Sequence, residues 1–307
     1  MKKLFTALMT LMMLFSLSAC GGSGNSGDGS ITIDFGTQKY LDPKIASEMV
    51  KALIEARTDH EVKITKNIQA SPQIIQAMDQ DELDMALLFS GELYNHHFDE
   101  DKVKFTTDPQ KTIQQAQKLF AEKFNFKWFD SLGYANEYAI AVPGKWAKQH
   151  HVKTIADLKP YADKLTIGAD TSWVHREKDG YPAFKETYFG FGEVKGMNVS
   201  LMYKAIKSND VDAILAYTVD PQIEKLNLRI LKDTKNFFPP YDASLVVRKE
   251  LLQNYPEVKK ILSSLVGKIS TEEMTHLIYL VQFKGKTQKE VAIQYLKKEG
   301  LLKDDQS

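Results

Sequence analysis

Apolar runs with strand spacing alternate with longer segments of helical spacing along the chain after about residue 30. Ile31–Phe35 predicts a strand, Asp42–Ala56 a helix with one apolar face, and Glu61–Lys66 a strand of alternating pattern. This order of elements is typical of an α/β architecture with mainly parallel strands. From Lys249 onward the pattern becomes helical, with few strand signals.

The next predicted unit contains a helix over Pro72–Asp79, for which Ser71 is the expected N-cap, and a buried strand over Leu83–Phe89. Two later segments, EYAIAV at Glu137–Val142 and LRILKD at Leu228–Asp233, also have strand patterns. The residues SLGYAN before the first of them have the composition of a turn. We expect these two strands to be the places where the chain crosses between two lobes.

A weak internal repeat supports the division into two lobes. Gln76–Ser90 aligns without a gap with Lys204–Thr218, at a constant offset of 128 residues, and Ile31–Gln38 resembles Leu165–Ser172. Chance similarity of helix–turn–strand units is the alternative explanation. The repeat favours two lobes of similar topology, each with an aromatic residue at the carboxyl end of a strand. That end is where open α/β sheets bind ligands.

The predicted crossovers set the lobe boundaries. We expect lobe 1 to contain residues 30–136 and 235–307, and lobe 2 to contain residues 137–234. The stretch NFFPPYDASLVV at Asn236–Val247 then lies just past the second crossover, beside the cleft. Its consecutive prolines fix φ and lack N–H donors, so they hold Tyr241 on a stiff, extended segment.

The N-terminal residues have the pattern of a targeting signal. Lys2 and Lys3 precede an apolar run at Leu4–Ser18, which is too short for an ordinary membrane span. The following Ala19-Cys20 resembles the lipobox of bacterial lipoproteins, in which the cysteine is acylated. We therefore expect residues 1–20 to be a lipoprotein signal peptide with Cys20 as the lipidation site. Residues 21–29, rich in Gly and Ser, are expected to be a flexible tether.

Composition excludes several functions. The formal net charge is zero, and without Lys2 and Lys3 it is −2, with no basic stripe, so nucleic acid is a poor candidate partner. No nucleophile elbow, phosphate-binding loop, dinucleotide fingerprint or zinc-protease motif occurs. The adjacent pairs His96-His97 and His150-His151 are poorly spaced for a metal. We expect no metal, no cofactor and no enzymatic activity.

Aromatic residues at predicted strand ends are the most informative group. Phe89 and Tyr217 end strands, Tyr138 begins one, and Tyr241 follows the two prolines. Core packing is the alternative for each of them alone. Together they predict an aromatic box between the lobes, because ring faces attract a cation by about 1–2 kcal/mol per desolvated contact. A quaternary ammonium, whose methyl groups donate no ordinary hydrogen bonds, is the ligand type that such a box favours.

Three segments carry a resemblance to a known family: KWFDSLGYANEYAIAV at Lys127–Val142, DAILAYTVD at Asp212–Asp220, and FFPPYDASLVV at Phe237–Val247. They are similar to motifs of the substrate-binding lipoproteins of ABC importers for choline, glycine betaine and carnitine, the osmoprotectants. The resemblance covers essentially the whole mature chain. It implies a periplasmic-binding-protein-like fold of type II, with the ligand in the cleft between two lobes.

The resemblance also implies roles for individual residues. Tyr138, Tyr217 and Tyr241 would be walls of the box, and Phe89 would replace the tyrosine of the family's usual Y-T-G triplet. Four further residues are expected to hydrogen-bond a hydroxyl or carboxylate of the ligand: Gln38, Ser71, Ser90 and Asn136. Helix capping by Ser71 and turn formation by Asn136 are the structural alternatives. Trp173 is expected in the core rather than at the mouth of the cleft.

The expected function is that of a lipid-anchored receptor on the outer face of a bacterial cytoplasmic membrane. It would deliver a quaternary ammonium solute to a permease driven by a separate ATPase. A receptor for an amino acid or polyamine is one alternative. The sequence shows no acidic cluster and no anion-binding arginine, which argues against both of these ligands. An extracytoplasmic enzyme and a structural or adhesive lipoprotein are the others. Affinity for a quaternary ammonium is expected to be flat from about pH 6 to 8, where only histidine would titrate.

Overall fold

The computed structural model describes residues 29–305, apart from 96, 100 and 178. The signal peptide and its lipidation site Cys20 are outside the described residues. In the described part, no helix is long and apolar enough to cross a membrane. Two five-stranded sheets, each with its own hydrophobic core, organise this part of the chain.

The first sheet has the strand order β2-β1-β3-β10-β4. Its strands are β1 (Thr32–Gln38), β2 (Glu61–Ile68), β3 (Met85–Phe89), β4 (Phe126–Ala135) and β10 (Asp242–Arg248). β1 is parallel to β2 and β3, whereas β10 is antiparallel to β3 and β4. β3 is buried along its whole length, as its continuous apolar run predicts.

Helices cover both faces of the first sheet. They are α1 (Leu41–Arg57), α2 (Ser71–Asp79), α3 (Pro109–Phe124), α9 (Lys249–Asn254), α10 (Pro256–Ser263), α11 (Thr271–Lys284) and α12 (Gln288–Lys298). The predicted apolar face of α1 is confirmed, since Ile45, Met49 and Leu53 are fully buried in the core of this lobe. The helical prediction for the chain after Lys249 is confirmed as well.

The second sheet has the order β7-β6-β8-β5-β9. Its strands are β5 (Tyr138–Pro143), β6 (Thr166–Asp170), β7 (Glu193–Met197), β8 (Ala213–Tyr217) and β9 (Leu228–Ile230). Its helices are α4 (Gly144–Gln149), α5 (Thr171–His175), α6 (Tyr181–Thr187), α7 (Val199–Ser208) and α8 (Gln222–Lys225). Trp173 and Phe184 are fully buried in its core, with ring centroids 5.7 Å apart, so the expectation for Trp173 is confirmed.

The two sheets repeat one topology, because β6 is parallel to β7 and β8 while β5 is antiparallel to β8 and β9. The prediction of similar lobes is therefore confirmed. The expectation of mainly parallel pairing is wrong, since each sheet has two parallel and two antiparallel pairings. The strand by which the chain enters each sheet from the other lobe, β5 or β10, is antiparallel to both of its neighbours, which local sequence patterns do not show.

The alignment of the first strands is wrong by two residues. Gly36 of β1 pairs with Ala86 of β3, and Gly168 of β6 pairs with Ile214 of β8. Ala86 and Ile214 are equivalent in the repeat with an offset of 128 residues. Gly36 is therefore equivalent to Gly168, which gives β1 and β6 an offset of 132. Pairing Ile31 with Leu165 implied an offset of 134. A slip of two positions leaves every side chain on the same face of the sheet, so the hydrophobic pattern does not reveal it.

Two local predictions are also wrong. SLGYAN is not a turn, because it forms the end of β4, where Gly133 at φ +113° lies against the Ile269 carbonyl and pairing with β10 is irregular. Ser71 is not an N-cap: it is the first residue of α2, and Ala70 precedes the helix without a side-chain cap.

Candidate functional site

A cavity of about 280 Å³ lies between the two sheets. Four of its lining residues are the last residues of strands: Gln38 ends β1, Phe89 ends β3, Asp170 ends β6 and Tyr217 ends β8. These strands occupy equivalent positions in the two sheets, so the carboxyl ends of both sheets face one cavity. Ligands of open α/β sheets bind at that edge.

Seven of the eight residues predicted to contact a ligand line this cavity. They are Gln38, Ser71, Phe89, Asn136, Tyr138, Tyr217 and Tyr241. Residues more than 200 positions apart in the chain are thus brought together at one site. The eighth residue, Ser90, lies behind the wall, and its contacts differ from those predicted.

Four tyrosines form a continuous aromatic surface. The ring centroid of Tyr138 is 5.2 Å from that of Tyr217 and 5.2 Å from that of Tyr241. Tyr40 continues the row, with its centroid 5.7 Å from that of Tyr217. Phe89, which is 6 % exposed, lines the same cavity. The rings come from both lobes, so the aromatic surface is complete only when the lobes are together.

Ser90 holds Tyr241 in place. Its hydroxyl donates to the carbonyl of Pro240 at 3.0 Å and accepts from the backbone N–H of Asp242 at 3.0 Å, so both neighbours of Tyr241 are fixed. The Tyr241 carbonyl accepts from the Asn136 N–H at 2.9 Å. Both hydrogen-bonding directions of the Ser90 hydroxyl are occupied, and the side chain is fully buried. The predicted direct contact of Ser90 with a ligand is therefore replaced by a positioning role.

Gly91 supports the same ring from behind. A Cβ atom at this position would lie 2.5 Å from two ring atoms of Tyr241, which real side chains do not tolerate. The absence of a side chain at Gly91 lets the ring of Tyr241 pack directly on the backbone. The stiff diproline segment, Ser90 and Gly91 together fix this wall of the cavity.

Arg176 is a charged residue of the cavity that the sequence analysis missed. Its guanidinium carbon is 5.2 Å from the centroid of the Tyr138 ring. Its Nη2 donates to Asp179 Oδ2 at 2.7 Å and to the Tyr241 hydroxyl at 3.3 Å. An arginine capable of binding an anion therefore does line the cleft, and the argument from its absence is wrong. The side chain lies in the loop after α5, where no local pattern marks it.

Buried acids accompany Arg176. Glu92 and Asp179 are 5 % and 4 % exposed, and Asp170 is 4 % exposed. Burial raises the pKa of Glu92, against hydrogen bonds from Ser71 and Asn95 that lower it. The expected lack of an acidic cluster is therefore wrong too. These acids span 88 positions of the sequence, and they lie close together only in the folded chain.

The acids and bases of the cavity are largely paired. Asp179 is bonded to Arg176 and Tyr241, while Asp170 accepts from the Ser172 N–H at 2.9 Å and faces the Lys39 ammonium at 3.8 Å. Such an arrangement offers a cation the faces of tyrosine rings, and offers an anion the guanidinium of Arg176. Within residues 29–305, leaving out the three gaps, no group of three or more His, Cys, Asp or Glu is arranged to hold a metal ion.

Tyr40 was also missed, although a sequence signal for it exists. It lies two residues after Gln38, so it follows the carboxyl end of β1 as Ser172 follows that of β6. Extending the search for aromatic residues two positions beyond each strand would have found it. Its own pKa is raised by burial, so it remains a neutral phenol at physiological pH.

The fold and this cavity define a two-lobed α/β solute-binding protein. The chain belongs to the OpuAC family, the substrate-binding domain of ABC-type glycine betaine transport systems, whose model matches residues 31–298. Members of this family are binding components of importers and not enzymes, and they take up their solutes outside the cytoplasm.

Individual relatives agree with this assignment. The carnitine transport binding protein OpuCC of Listeria monocytogenes is 38% identical over 303 residues, which covers 97% of each chain. A crystal structure of a glycine betaine/carnitine/choline ABC transporter protein is 34% identical, with a TM-score of 0.75, covering 88% of this chain and 99% of that one. An ergothioneine transport permease/binding protein of Helicobacter pylori is 35% identical over 190 residues, which is 62% of this chain and 34% of that protein.

Proposed function

We propose that this protein is the receptor of an ABC importer for a quaternary ammonium solute such as glycine betaine, carnitine or choline. The observation that carries the proposal is the guanidinium of Arg176 against the face of Tyr138, 5.2 Å from its centroid. This contact supports the proposal, because it shows that a protein cation already packs on the face of Tyr138 in a buried setting. A trimethylammonium group makes the same contact without hydrogen-bonding requirements.

The walls that we assign to the ligand cation are Phe89, Tyr138, Tyr217 and Tyr241, with Tyr40 beside Tyr217. Three or four desolvated cation–π contacts supply roughly 3–8 kcal/mol, comparable to the ~8 kcal/mol of a micromolar complex once methyl burial is added. Phenylalanine at position 89 keeps the ring face and loses only a hydroxyl. We assign Gln38, Ser71 and Asn136 to hydrogen bonds with the rest of the ligand.

Arg176 favours ligands that carry a carboxylate as well as the ammonium group. When a trimethylammonium group takes the face of Tyr138, the displaced guanidinium remains within reach of the cavity, and a charge-assisted bond to a carboxylate is stronger than a neutral one. Glycine betaine and carnitine meet this condition, whereas choline offers only a hydroxyl. The zwitterions should therefore bind more tightly than choline.

The remaining parts of the proposal concern assembly. Residues 30–136 and 241–307 would move as one lobe against residues 137–238, closing on the solute. The chain leaves the second core at Pro239-Pro240, since Phe237 and Phe238 pack in that core and Tyr241 in the first. Cys20 would carry the lipid that anchors the protein to the outer face of the membrane. The partners would be a membrane permease and its separate ATPase.

Calorimetry of the mature chain with glycine betaine, carnitine and choline tests the function. We expect micromolar binding of at least one solute, and tighter binding of the zwitterions. Arg176→Gln should weaken glycine betaine binding at least tenfold and choline binding much less. Absence of binding by all three solutes, at concentrations up to the millimolar range, would overturn the proposal.

A second candidate ligand is a larger betaine that carries N–H donors, of which ergothioneine is an example. The buried carboxylates of Glu92 and Asp170 favour it, because each can accept a further hydrogen bond that a bare trimethylammonium group cannot donate. Ergothioneine added to the same titration series discriminates the two ligands. Glu92→Gln should weaken a donor-bearing betaine more than it weakens glycine betaine.

A further inference from the structure

A second cavity, of about 330 Å³, adjoins the first. Tyr40, Asn136 and Tyr217 line both cavities and form the partition between them. The second cavity also lies between the lobes: Ile278 and Gln282 of α11 border it on one side, and residues 198–200 of the α7 region border it on the other. Movement of the lobes must therefore open and close it together with the ligand cavity.

One carboxylate from each lobe faces this second cavity. Asp42, in the first turn of α1, is 1 % exposed, and Asn136 Nδ2 donates to its Oδ2 at 3.0 Å. Asp220 follows β8 in the other lobe and accepts from the Gln222 N–H at 2.9 Å. Burial raises the pKa of Asp42 to about 7, with Asp220 adding to the shift, and burial raises the pKa of Asp220 to about 6.

No basic side chain of the described residues is paired with either carboxylate. Among the described residues that line the cavity, the one basic side chain is Lys39, whose ammonium lies 3.8 Å from Asp170 in the neighbouring cavity. The portions of α7 and α11 that face the cavity contribute no charged groups. Burial raises the pKa of the surrounding phenols, so they stay neutral: Tyr40, Tyr134, Tyr203 and Tyr217.

The side chain of Asn136 supplies an independent observation. Asn136 is 9 % exposed, and its Oδ1 is buried without a hydrogen-bond partner among the described residues. This oxygen belongs to the same amide that already contacts Asp42. A protonated Asp42 gains an O–H donor for such an acceptor, whereas an ionised Asp42 leaves the acceptor unsatisfied at a cost of roughly 1–3 kcal/mol.

We propose that lobe closure takes up a proton into this cavity, on the Asp42–Asp220 pair, so that solute capture is linked to pH. The inference rests on the proposed function, since it concerns closure around a solute. Closing the lobes removes water from both carboxylates and brings like charges nearer to each other, and protonation of one carboxyl group relieves both costs. Asn136 couples the event to the ligand site, because it lies at the crossover between β4 and β5 and borders both cavities.

The sign of the linkage follows from the raised pKa values. In the closed form the proton is held up to about pH 7, while in the open, hydrated form the carboxyls titrate nearer to their ordinary values. Affinity should therefore be highest at low pH, fall as pH rises, and become constant above the closed-form value. Between pH 5.5 and 7.5 the Kd should rise roughly 20-fold. Glu92 in the ligand cavity contributes a linkage of the opposite sign. A bound cation favours the ionised form of Glu92, so solute binding releases a proton from this carboxyl group.

Calorimetry with glycine betaine at pH 6.5, in buffers of different ionisation enthalpy, measures the proton directly. We expect net uptake of about three-quarters of a proton per solute bound. Asp42→Asn, which mimics the protonated acid, should remove most of the uptake and most of the pH dependence, with the remainder carried by Asp220. Asp84→Asn is the matched control: burial raises its pKa too, but its contacts with Asp34 and Arg248 stay within one lobe, so uptake should persist.

The outcomes separate the two proposals. Solute binding with no proton uptake, with proton release, or with uptake undiminished in Asp42→Asn would overturn the linkage and leave the proposed function intact. Carnitine and choline serve as further probes in the same buffers. If none of the three solutes binds, the proposed function fails and the linkage fails with it.

Discussion

The Tyr241 hydroxyl donates a hydrogen bond to Asp179 Oδ2 over 2.7 Å and thereby joins the two lobes at the wall of the ligand cavity. The two residues are 62 positions apart in the chain. Tyr241 packs in the first core, whereas Asp179 lies in the segment before α6 of the second lobe. One ring is thus both a wall for the ligand and a contact that holds the lobes closed.

This double role predicts a difference between two tyrosine-to-phenylalanine substitutions. Tyr241→Phe keeps the ring face but removes a bond to a buried carboxylate, so it should weaken solute binding by about 1–2 kcal/mol, or roughly tenfold. Tyr217→Phe removes a hydroxyl that faces Tyr40 and makes no hydrogen bond to a charged group, and should change the Kd less than about threefold. Calorimetry of both variants checks the contrast. Equal losses at the two positions would contradict the lobe-joining role of the Tyr241 hydroxyl.

Removing a ring face should cost much more than removing a hydroxyl. Tyr138→Ala or Tyr217→Ala should weaken binding by about 2–4 kcal/mol, which is roughly 30- to 1000-fold in Kd. Each substitution removes one cation–π contact and the packing of the ring. Tyr138→Trp should retain most of the affinity because the ring face remains. Thermal unfolding without ligand is the control for folding. If Tyr217→Phe hurts as much as Tyr217→Ala, the hydroxyls carry the binding and the cation–π box is the wrong mechanism.

A substitution at Gly91 should weaken solute binding as much as a substitution of a wall residue, although Gly91 itself has little surface. Gly91→Ala places a Cβ 2.5 Å from ring atoms of Tyr241, so the ring must move and affinity should fall about tenfold or more. Gly196→Ala in β7 is the control, because its Cβ meets only ordinary contacts at 3.5 Å and beyond. Unchanged binding by Gly91→Ala would show that Tyr241 does not need its present position.

A second contact between the lobes lies away from the ligand. Lys225 Nζ of α8 is 3.4 Å from the ring centroid of Phe283 in α11. Because this contact exists only when the lobes are together, Lys225→Ala should favour the open form and weaken binding about two- to fivefold. Small-angle scattering with and without solute should show compaction in both proteins, with more solute needed for the variant. Lys284→Ala, which removes a cation from Tyr279 of the same helix, should leave the affinity unchanged.

The anchor is testable in cells. Cys20→Ala should release the protein from the membrane fraction or leave an uncleaved precursor, because the acylated residue would be missing. The chain from residue 30 onward, produced without the preceding residues, should bind solute normally. Loss of affinity in that shortened protein would contradict the view that residues 1–29 serve only for targeting and tethering.

The sequence predicts an affinity that is flat between pH 6 and 8, whereas the proposed proton linkage predicts a Kd that rises over this range. A permanent ammonium charge and the surface histidines gave no reason for pH dependence. The acids that change the expectation, Asp42 and Asp220, are 178 positions apart and meet only in the folded chain. Their pKa values depend on burial, which local sequence does not specify.

The sequence by itself determined the elements and the class of site. The apolar periodicities fixed α1, β3 and the helical C-terminal region, because side-chain spacing follows the local backbone geometry. Aromatic residues at strand ends indicated the cavity walls, since the carboxyl ends of strands share one edge of a sheet. The motifs around Tyr138, Tyr217 and Tyr241 indicated the family. Each of these signals lies within about fifteen consecutive residues.

Only the tertiary structure decided which charged groups enter the site. Arg176 and Asp179 lie in a loop with no periodic pattern, and they reach the cavity because the two sheets face each other. Ser90 looked like a ligand contact, yet the return of β10 beside β3 brings the Pro240 carbonyl and the Asp242 N–H to its hydroxyl. Contacts of this kind depend on the relative placement of distant segments, and that placement is set by packing of the whole chain.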